Sequence, residues 1–373
     1  MNILVLNWQD IHNPLGGGAE VHLHEIFKRI VERGHRVTLF CCAFPGAPAE
    51  ETIDGIHIIR KGSRNTFNYR VYPAYRSRFR KEGYDVVVDD LNKIPFYTPL
   101  YVREPLVGIV HHLFGRSIFA EVSLPAGMYV AGAELLSFPL YRRIPIAVVS
   151  ESTKNELVEH GFREDLLHLV PNAIDHQVFR YLKIPRVPES LVGYLGRMKK
   201  YKSIDHLLRA FAIVRQERPA ARLVLVGDGD VRPKLEHLAR ELGLGDAVRF
   251  AGFVSQEEKV VLLNQMDVVV NPSAKEGWGL TVIEANACGV PVVASDVPGL
   301  RDSVLDERTG FLYEYGNIEQ LAQKVSLVLR DDHLRNRMAE EALAWAASFS
   351  WDRSADTMLA LMEQAVRQRN RSR

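Results

Sequence analysis

Short runs of Val, Ile and Leu alternate with stretches of helical spacing along this chain, and the alternation starts afresh past its midpoint. In the first half ILVLNW (3–8), RVTLFCC (36–42), DVVVDD (85–90), LVGIV (106–110) and IAVVS (146–150) are short apolar runs, as expected of strands buried on both faces. EVHLHEIFKRIVERG (20–34) has helical spacing and ends in glycine, which predicts a helix. The second half repeats the programme with LVGYLG (191–196), RLVLVG (222–227), VRFAG (248–252), DVVVNPS (267–273) and VPVVAS (290–295), and with helices over 203–217 and 231–243. Strands that alternate with helices imply parallel sheets, so the pattern predicts an α/β protein of two Rossmann-like domains.

A length of 373 residues, too much for one ordinary core, points the same way. Between the halves, residues 171–190 hold Pro171, Pro185 and Pro188 without sustained periodicity and read as a linker. The expected domains are therefore 1–172 and 173–350, with a cleft between them. Residues 351–373 form a long helical pattern with a basic tail, and the pattern does not decide which domain it joins.

Lys and Arg total 47 against 46 Asp and Glu, a formal net charge of +1, so there is no global basic field for DNA or RNA. Of the three cysteines, Cys41 and Cys42 are adjacent and Cys288 stands alone, a set that fits neither a disulfide framework nor metal-ligand spacing and suits a reducing cytoplasm. The opening MNILVLNW lacks the layout of a signal peptide and reads as a first strand. Residues 122–141 approach the length of a membrane span with Glu134 as their one charge, but Pro125, Pro139 and that glutamate favour an amphipathic surface helix.

In open parallel sheets ligands sit beyond the carboxyl ends of the strands, where loops lead into helix N-termini. Four such loops carry glycine and charge. NPLGGGAE (13–20) brings Gly16, Gly17 and Gly18 to a helix start that suits an anion, with a plain glycine turn as the alternative; it is neither a dinucleotide fingerprint nor a P-loop. LGRMKKYKSID (195–205) sets Arg197, Lys199, Lys200 and Lys202 at a strand end, a combination suited to clamping a diphosphate. EGWGLTVIEANACG (276–289) places Glu276 before a helix expected to begin near Leu280 and Glu284 in its second turn, so two carboxylates flank one helix N-terminus. Such a pair accepts hydrogen bonds from vicinal hydroxyls while the helix end receives phosphate; the bland alternative is a capped helix whose glutamates favour its dipole. In VGDGD (226–230) the Asp-x-Asp of Asp228 and Asp230 reads as a helix cap by Asp230 in preference to a metal site, so no metal is expected.

Together these loops, with TGFLY (309–313), resemble glycosyltransferase family 4, the retaining GT-B transferases that use nucleotide-diphosphate sugars, over nearly the whole chain. The resemblance implies GT-B architecture, two facing Rossmann-like domains around a central cleft, and a C-terminal helix, about 351–373, crossing back to the first domain. It implies that Arg197 and Lys202 hold the donor diphosphate, that Glu276 contacts the transferred sugar and Glu284 the ribose, and that the backbone of Gly277, Trp278, Gly279 and Leu280 meets sugar and phosphates. Phe253 and Val254 of GFVS (252–255) would meet the base, Gly16 and Gly17 would close on the diphosphate, and His111 of IVHH would face the donor sugar, with His112 the lesser candidate and a packing role the alternative for both. Ser203 stands where the family often has glycine, Trp278 where phenylalanine is frequent, and Asn286 where small or apolar residues are usual.

The expected activity is retaining transfer of a hexose-type sugar from a UDP- or GDP-sugar to an acceptor hydroxyl, without cofactor or metal, in the synthesis of a lipid-linked glycan, polysaccharide or glycolipid. A GT-B-shaped epimerase or phosphorylase and a catalytically silent sugar-nucleotide-binding subunit are the competing readings. Residues 60–81 hold eight basic side chains, no acidic ones and five aromatics (Phe67, Tyr69, Tyr72, Tyr75, Phe79), a composition that suits anionic lipid or a phosphorylated acceptor, or a merely solvated face. A cytoplasmic enzyme, peripheral on the inner face of the membrane, is the expectation.

Overall fold

The computed structural model describes residues 1–91, 94–120, 122–184 and 189–371. Its contacts divide the chain into two units, Met1–Asn172 with Trp351–Arg373, and Ala173–Ser350. Pro185 and Pro188 of the expected linker lie outside the described residues, as do 372–373 of the expected C-terminal helix.

The first unit is built on β1 (Asn2–Leu6), α1 (Gly18–Glu32), β2 (Arg36–Cys41), β3 (Glu50–Ile53), β4 (Ile56–Arg60), α2 (Asn68–Ser77), β5 (Val86–Asp90), β6 (Leu106–Val110), α3 (Leu124–Tyr141), β7 (Ile146–Val148), α4 (Glu151–Glu159) and β8 (Leu167–Leu169). The strands form one sheet in the order β3-β4-β2-β1-β5-β6-β7-β8, parallel except for the β3–β4 hairpin. The chain leaves β1 toward β2 on one side and returns to β5 on the other, so the β1 and β5 carboxyl ends border the point where the winding reverses. Leu4, Leu6, Phe40 and Val87 are buried in one of its cores together with Phe67, Tyr75 and Phe79.

That core corrects part of the basic-aromatic reading of 60–81. Three of its five aromatics are interior, and Arg60 is buried at the end of β4, where its Nε donates to Asp10 Oδ2 at 2.7 Å and Nη1 meets Glu51. Arg78 is tied to Glu50 at 2.7 Å and to Glu82 at 2.8 Å. Lys61, Arg64, Arg70, Arg76, Arg80 and Lys81 remain exposed, beside Tyr69 and Tyr72.

The second unit comprises β9 (Leu191–Leu195), α5 (Ile204–Glu217), β10 (Arg222–Val226), α6 (Arg232–Glu241), β11 (Val248–Gly252), α7 (Gln256–Gln265), β12 (Val268–Asn271), α8 (Leu280–Ala287), β13 (Val292–Ser295), α9 (Leu300–Ser303), β14 (Gly310–Tyr313), α10 (Ile318–Arg330) and α11 (Asp332–Ala347). Its strands are parallel in the order β11-β10-β9-β12-β13-β14, with the reversal between β9 and β12. Leu208, Phe211 and Val214 of α5 and Leu321, Val325 and Val328 of α10 pack into one core with Val192, Leu225 and Val268 of the sheet.

The last helix, α12 (Trp351–Arg371), belongs to the first unit and packs on α1. It buries Trp351, Ala355, Met358, Leu361, Met362 and Ala365, spaced three and four apart. Arg33, just past α1, reaches Asp352 at 3.2 Å and Asp356 at 2.9 Å, and the Ser354 hydroxyl donates to the Pro171 carbonyl at 2.8 Å.

Helix α3 departs from the amphipathic expectation. Phe138 and Tyr141 near its end are buried, but Leu124, Met128, Leu135 and Leu136 are exposed while Glu134 is buried. The Glu134 carboxylate accepts the backbone N–H of Phe114 at 2.8 Å and of Gly115 at 2.9 Å. Both amides belong to the turn after β6, and that of buried Phe114 has to be satisfied inside, so the glutamate faces inward. Glu134→Ala is therefore expected to destabilise the first unit by about 2–4 kcal/mol, with Glu134→Gln in between, read by denaturant unfolding.

Candidate functional site

In the second unit the loops after β9 and β12 meet at the reversal of strand order. The first, Gly196–Ser203, carries Arg197 exposed at the strand end, with no ion-pair partner among the described residues, while Lys202 ends a single helical turn just before α5. The second runs from Asn271 to Gly279, whose φ of +82° starts α8 without a side-chain cap. Lys202 Nζ and Glu276 Oε1 are in direct ion contact, with side chains 15% and 14% exposed. Burial opposes the charge on Lys202, but the Glu276 carboxylate outweighs it and holds the ammonium above its ordinary range. The Ser273 hydroxyl lies 2.8 Å from Glu276 Oε1 and 2.6 Å from Asn271 Oδ1, so it donates to one of two acceptors that belong to the same loop.

Close backbone approaches hold both loops. A Cβ on Gly227 would lie 2.1 Å from the Gly196 carbonyl oxygen, and one on Gly299 would lie 2.3 Å from that of Glu276. The VGDGD glycines thus let the β10–α6 turn support the Arg197 loop, and this corrects the cap assigned to Asp230. Helix α6 starts after Val231 with no side-chain cap; Asp230 pairs with Lys199 at 3.1 Å, and Asp228 with Arg232 at 3.0 Å. Ser203 has a φ of +48°, which explains why glycine suits that position, and its hydroxyl meets Tyr315 at 2.9 Å in compensation. Trp278 is buried edge-on to Phe349 at 4.8 Å, and the Asn286 amide donates to the Val290 carbonyl at 3.1 Å, closing the turn from α8 to β13.

Glu284 sits in the second turn of α8 as expected, and its counter-charge is one that local sequence does not announce. Lys259 Nζ of α7 stands 2.6 Å from Glu284 Oε2, an ion contact outside hydrogen-bond geometry. The same ammonium lies 5.0 Å from the centre of the Phe179 ring. Helix α7 starts directly after the turn that presents Phe253, 82% exposed, and half-buried Val254. Lys259 therefore ties the Phe253–Val254 turn to Glu284. Lys259 and Ser273 belong to no contiguous motif, so no local signal points to either.

In the first unit the structure gathers Gly16, Gly17 and His111 with three residues to which the sequence reading gave no role. His111, just past β6, has Nε2 3.2 Å from Asp90 Oδ2 at the end of β5. Glu20 of α1 is buried, and its Oε2 accepts the Gly17 N–H at 2.6 Å, so that amide is engaged inside the loop. His22 lies edge-on to His111 with centroids 5.1 Å apart, and its Nε2 bonds to the Val170 carbonyl at 2.9 Å. Burial would lower His111, but Asp90 and Glu20 carry it above its usual value. Burial, followed by the His111 charge, pushes His22 down to about 3. His22 is thus neutral and donates Nε2–H to the Val170 carbonyl, while Asp90 favours the charged form of His111. Glu20 closes NPLGGGAE and Asp90 closes DVVVDD, and only the sheet order brings them to one place. Among the described residues no group of three or more His, Cys, Asp or Glu has the arrangement of a metal site.

The comparisons agree with this layout. The model described as Glycosyltransferase Family 4 matches residues 16–178, and that of Glycosyl transferases group 1 matches residues 183–345. A D-inositol 3-phosphate glycosyltransferase from Xylanimonas cellulosilytica is 32% identical over 95% of this chain and 93% of its own. The chain belongs to this family of glycosyltransferases. Among solved structures, a sucrose-phosphate synthase from Thermosynechococcus elongatus superposes with a TM-score of 0.83 at 22% identity, covering 97% of this chain and 98% of that one. Anabaena HepE, solved with UDP-glucose, gives 0.73 at 21% identity over 99% of both chains. These two likenesses concern the fold, two α/β units with Rossmann-like parallel sheets as in GT-B enzymes.

His22 gives this glycosyltransferase a predictable acid response. A histidine whose folded pKa is depressed from 6.5 to about 3 contributes stability that is complete above pH 6.5 and is lost as pH falls toward 3. The loss attributable to it approaches about 1.4 kcal/mol per pH unit within that window. His22→Gln, which keeps a donor for Val170, is expected to flatten the dependence of unfolding free energy on pH between 6 and 4.

Proposed function

We propose that this glycosyltransferase moves a hexose-type sugar from a nucleoside-diphosphate sugar to an acceptor hydroxyl with retention at the anomeric carbon. The observation that carries the reading is the Lys202–Glu276 contact at the β9/β12 reversal, beside exposed Arg197 and the uncapped start of α8. The basic side chains and the helix end suit the two phosphates, and the paired glutamates suit hydroxyls on either side of them.

In this reading Arg197 and Lys202 bind the diphosphate and stabilise the charge that grows on it as the bond to the sugar carbon breaks. The acceptor oxygen bonds to that carbon on the face the phosphate leaves, and the departing phosphate oxygen takes the acceptor proton. Glu276, neutralised by Lys202 and hydrogen-bonded with Ser273, orients sugar hydroxyls and is not the nucleophile. Glu284, positioned by Lys259, receives the ribose hydroxyls; Phe253 and Val254 contact the base; the backbone from Gly277 to Leu280 lines the phosphates and sugar. His111, oriented by Asp90, donates to the donor sugar, and Gly16 and Gly17 meet the diphosphate. No metal enters these steps. UDP-glucose, the ligand solved with the HepE neighbour, is the first donor to try, followed by GDP-sugars. The acceptor belongs to lipid-linked glycan, polysaccharide or glycolipid synthesis.

Arg197→Ala and Lys202→Ala are each expected to lower turnover by about 100-fold or more with circular dichroism unchanged, and wild-type turnover in both variants would overturn the clamp. A thermal-shift screen over nucleotide sugars identifies the donor, because ligand at 100 times its Kd stabilises by about 2.7 kcal/mol. Turnover is expected to survive chelator. Radiolabel that leaves the donor only as free sugar, or stays on it as an epimer, would refute transfer.

A further inference from the structure

We propose that α3 and α2 form a docking surface for an anionic lipid bilayer, with the apolar residues of α3 entering the headgroup layer and the basic side chains on and around α2 meeting lipid phosphate. The proposal is independent of the donor site. It starts from the inverted burial of α3. Leu124, Met128 and Leu136 are 66%, 62% and 73% exposed, and their spacing of four and eight residues puts them on one face of the helix. Leu135 at 56% and Tyr129 at 51% widen that face. Glu134 is the only charged side chain in the 18 residues of α3 and it is buried, so the exposed face carries no charge. Single exposed leucines are ordinary, whereas a continuous stripe of them on a surface helix has to be covered by something apolar.

What lies beside the stripe identifies the cover. The Tyr129 hydroxyl meets that of Tyr69 on α2 at 3.2 Å, which joins the two helices at the surface. The exposed residues of α2 include Tyr69, Arg70, Tyr72, Pro73 and Arg76, and Lys61, Arg64, Arg80 and Lys81 are exposed on the segments around it. None of these six cations has an ion-pair partner among the described residues, and no acidic residue occurs from 60 to 81. The chain as a whole is nearly neutral at +1, so this concentration is local. Apolar side chains flanked by tyrosines and unpaired Lys and Arg match the layered chemistry of an anionic bilayer surface, acyl chain inside and phosphate outside. The helix lies on the bilayer and does not cross it, since no helix among the described residues is long and apolar enough to span and Glu134 is committed to the Phe114 and Gly115 amides.

The test is co-sedimentation of the full chain with vesicles of pure phosphatidylcholine and with vesicles containing phosphatidylglycerol. Binding is expected to the anionic vesicles at low salt, to weaken as salt rises, and to be small with phosphatidylcholine alone. Met128→Glu with Leu136→Glu is expected to weaken anionic-vesicle binding about tenfold or more, while the unfolding midpoint stays that of the wild type because both positions are exposed. Arg70→Gln, Arg76→Gln and Arg80→Gln together are expected to weaken binding and reduce its salt dependence. Failure to sediment with anionic vesicles at low salt, or wild-type binding by both sets of variants, would overturn the proposal. So would a dimer in sedimentation velocity that the α3 substitutions dissolve, for then a second copy of the chain covers the stripe.

Discussion

A parallel strand can be followed by another only through a crossover, and every crossover starts from the same edge of the sheet. In both units of this chain that rule gathers the charged and glycine-bearing loops at the carboxyl ends, and the reversal of strand order parts the loops on either side of it. The loop with Arg197 and Lys202 follows β9, and the loop with Glu276 follows β12, the strand paired with β9. Residues separated by more than seventy positions, Lys202 and Glu276, come into ion contact because their strands are neighbours. In the first unit the same logic sets Gly16 after β1, Asp90 at the end of β5 and His111 after β6.

Several charges brought inside this protein are matched to specific partners. Arg60 is held by Asp10 and Glu51, Lys202 by Glu276, and Glu134 by two backbone amides. An unmatched buried charge would cost more than its neighbours could return, so each pairing dictates where adjacent side chains point. At α3 the consequence reaches the surface: the helix turns its one carboxylate inward and leaves Leu124, Leu135 and Leu136 outside. At the His22–His111 pair burial keeps His22 neutral, and Asp90 favours the charged form of His111.

Much of the fold was legible because burial on both faces of a parallel sheet leaves an unmistakable record, continuous aliphatic runs separated by helical spacing. The α/β class and the start of α8 at Leu280 follow from local pattern. The loops with chemistry were legible for a related reason, since glycines and clustered charges at strand ends have few structural excuses. Lys259, Ser273, Glu20 and Asp90 were not singled out, because each acts through a partner distant in sequence or looks locally like a cap or a strand end. The role given to Asp230 failed in the same way: a locally reasonable helix cap yields to an ion pair with Lys199, which another loop supplies.

The sequence by itself determined the α/β class, the pairing of strand-end loops with helix starts, and the list of charged residues available to a nucleotide-sugar site. Tertiary structure alone decided that α12 lies against α1, that Glu284 is met by Lys259, that Arg60, Phe67, Tyr75 and Phe79 leave the basic-aromatic surface for the interior, and that α3 faces solvent with its apolar side. The physical reason is the range of the forces recorded. Periodicity reports whether a segment has an apolar side, but which neighbour or solvent that side meets depends on strand order and on where buried charges find their partners, and neither is a local property of the chain.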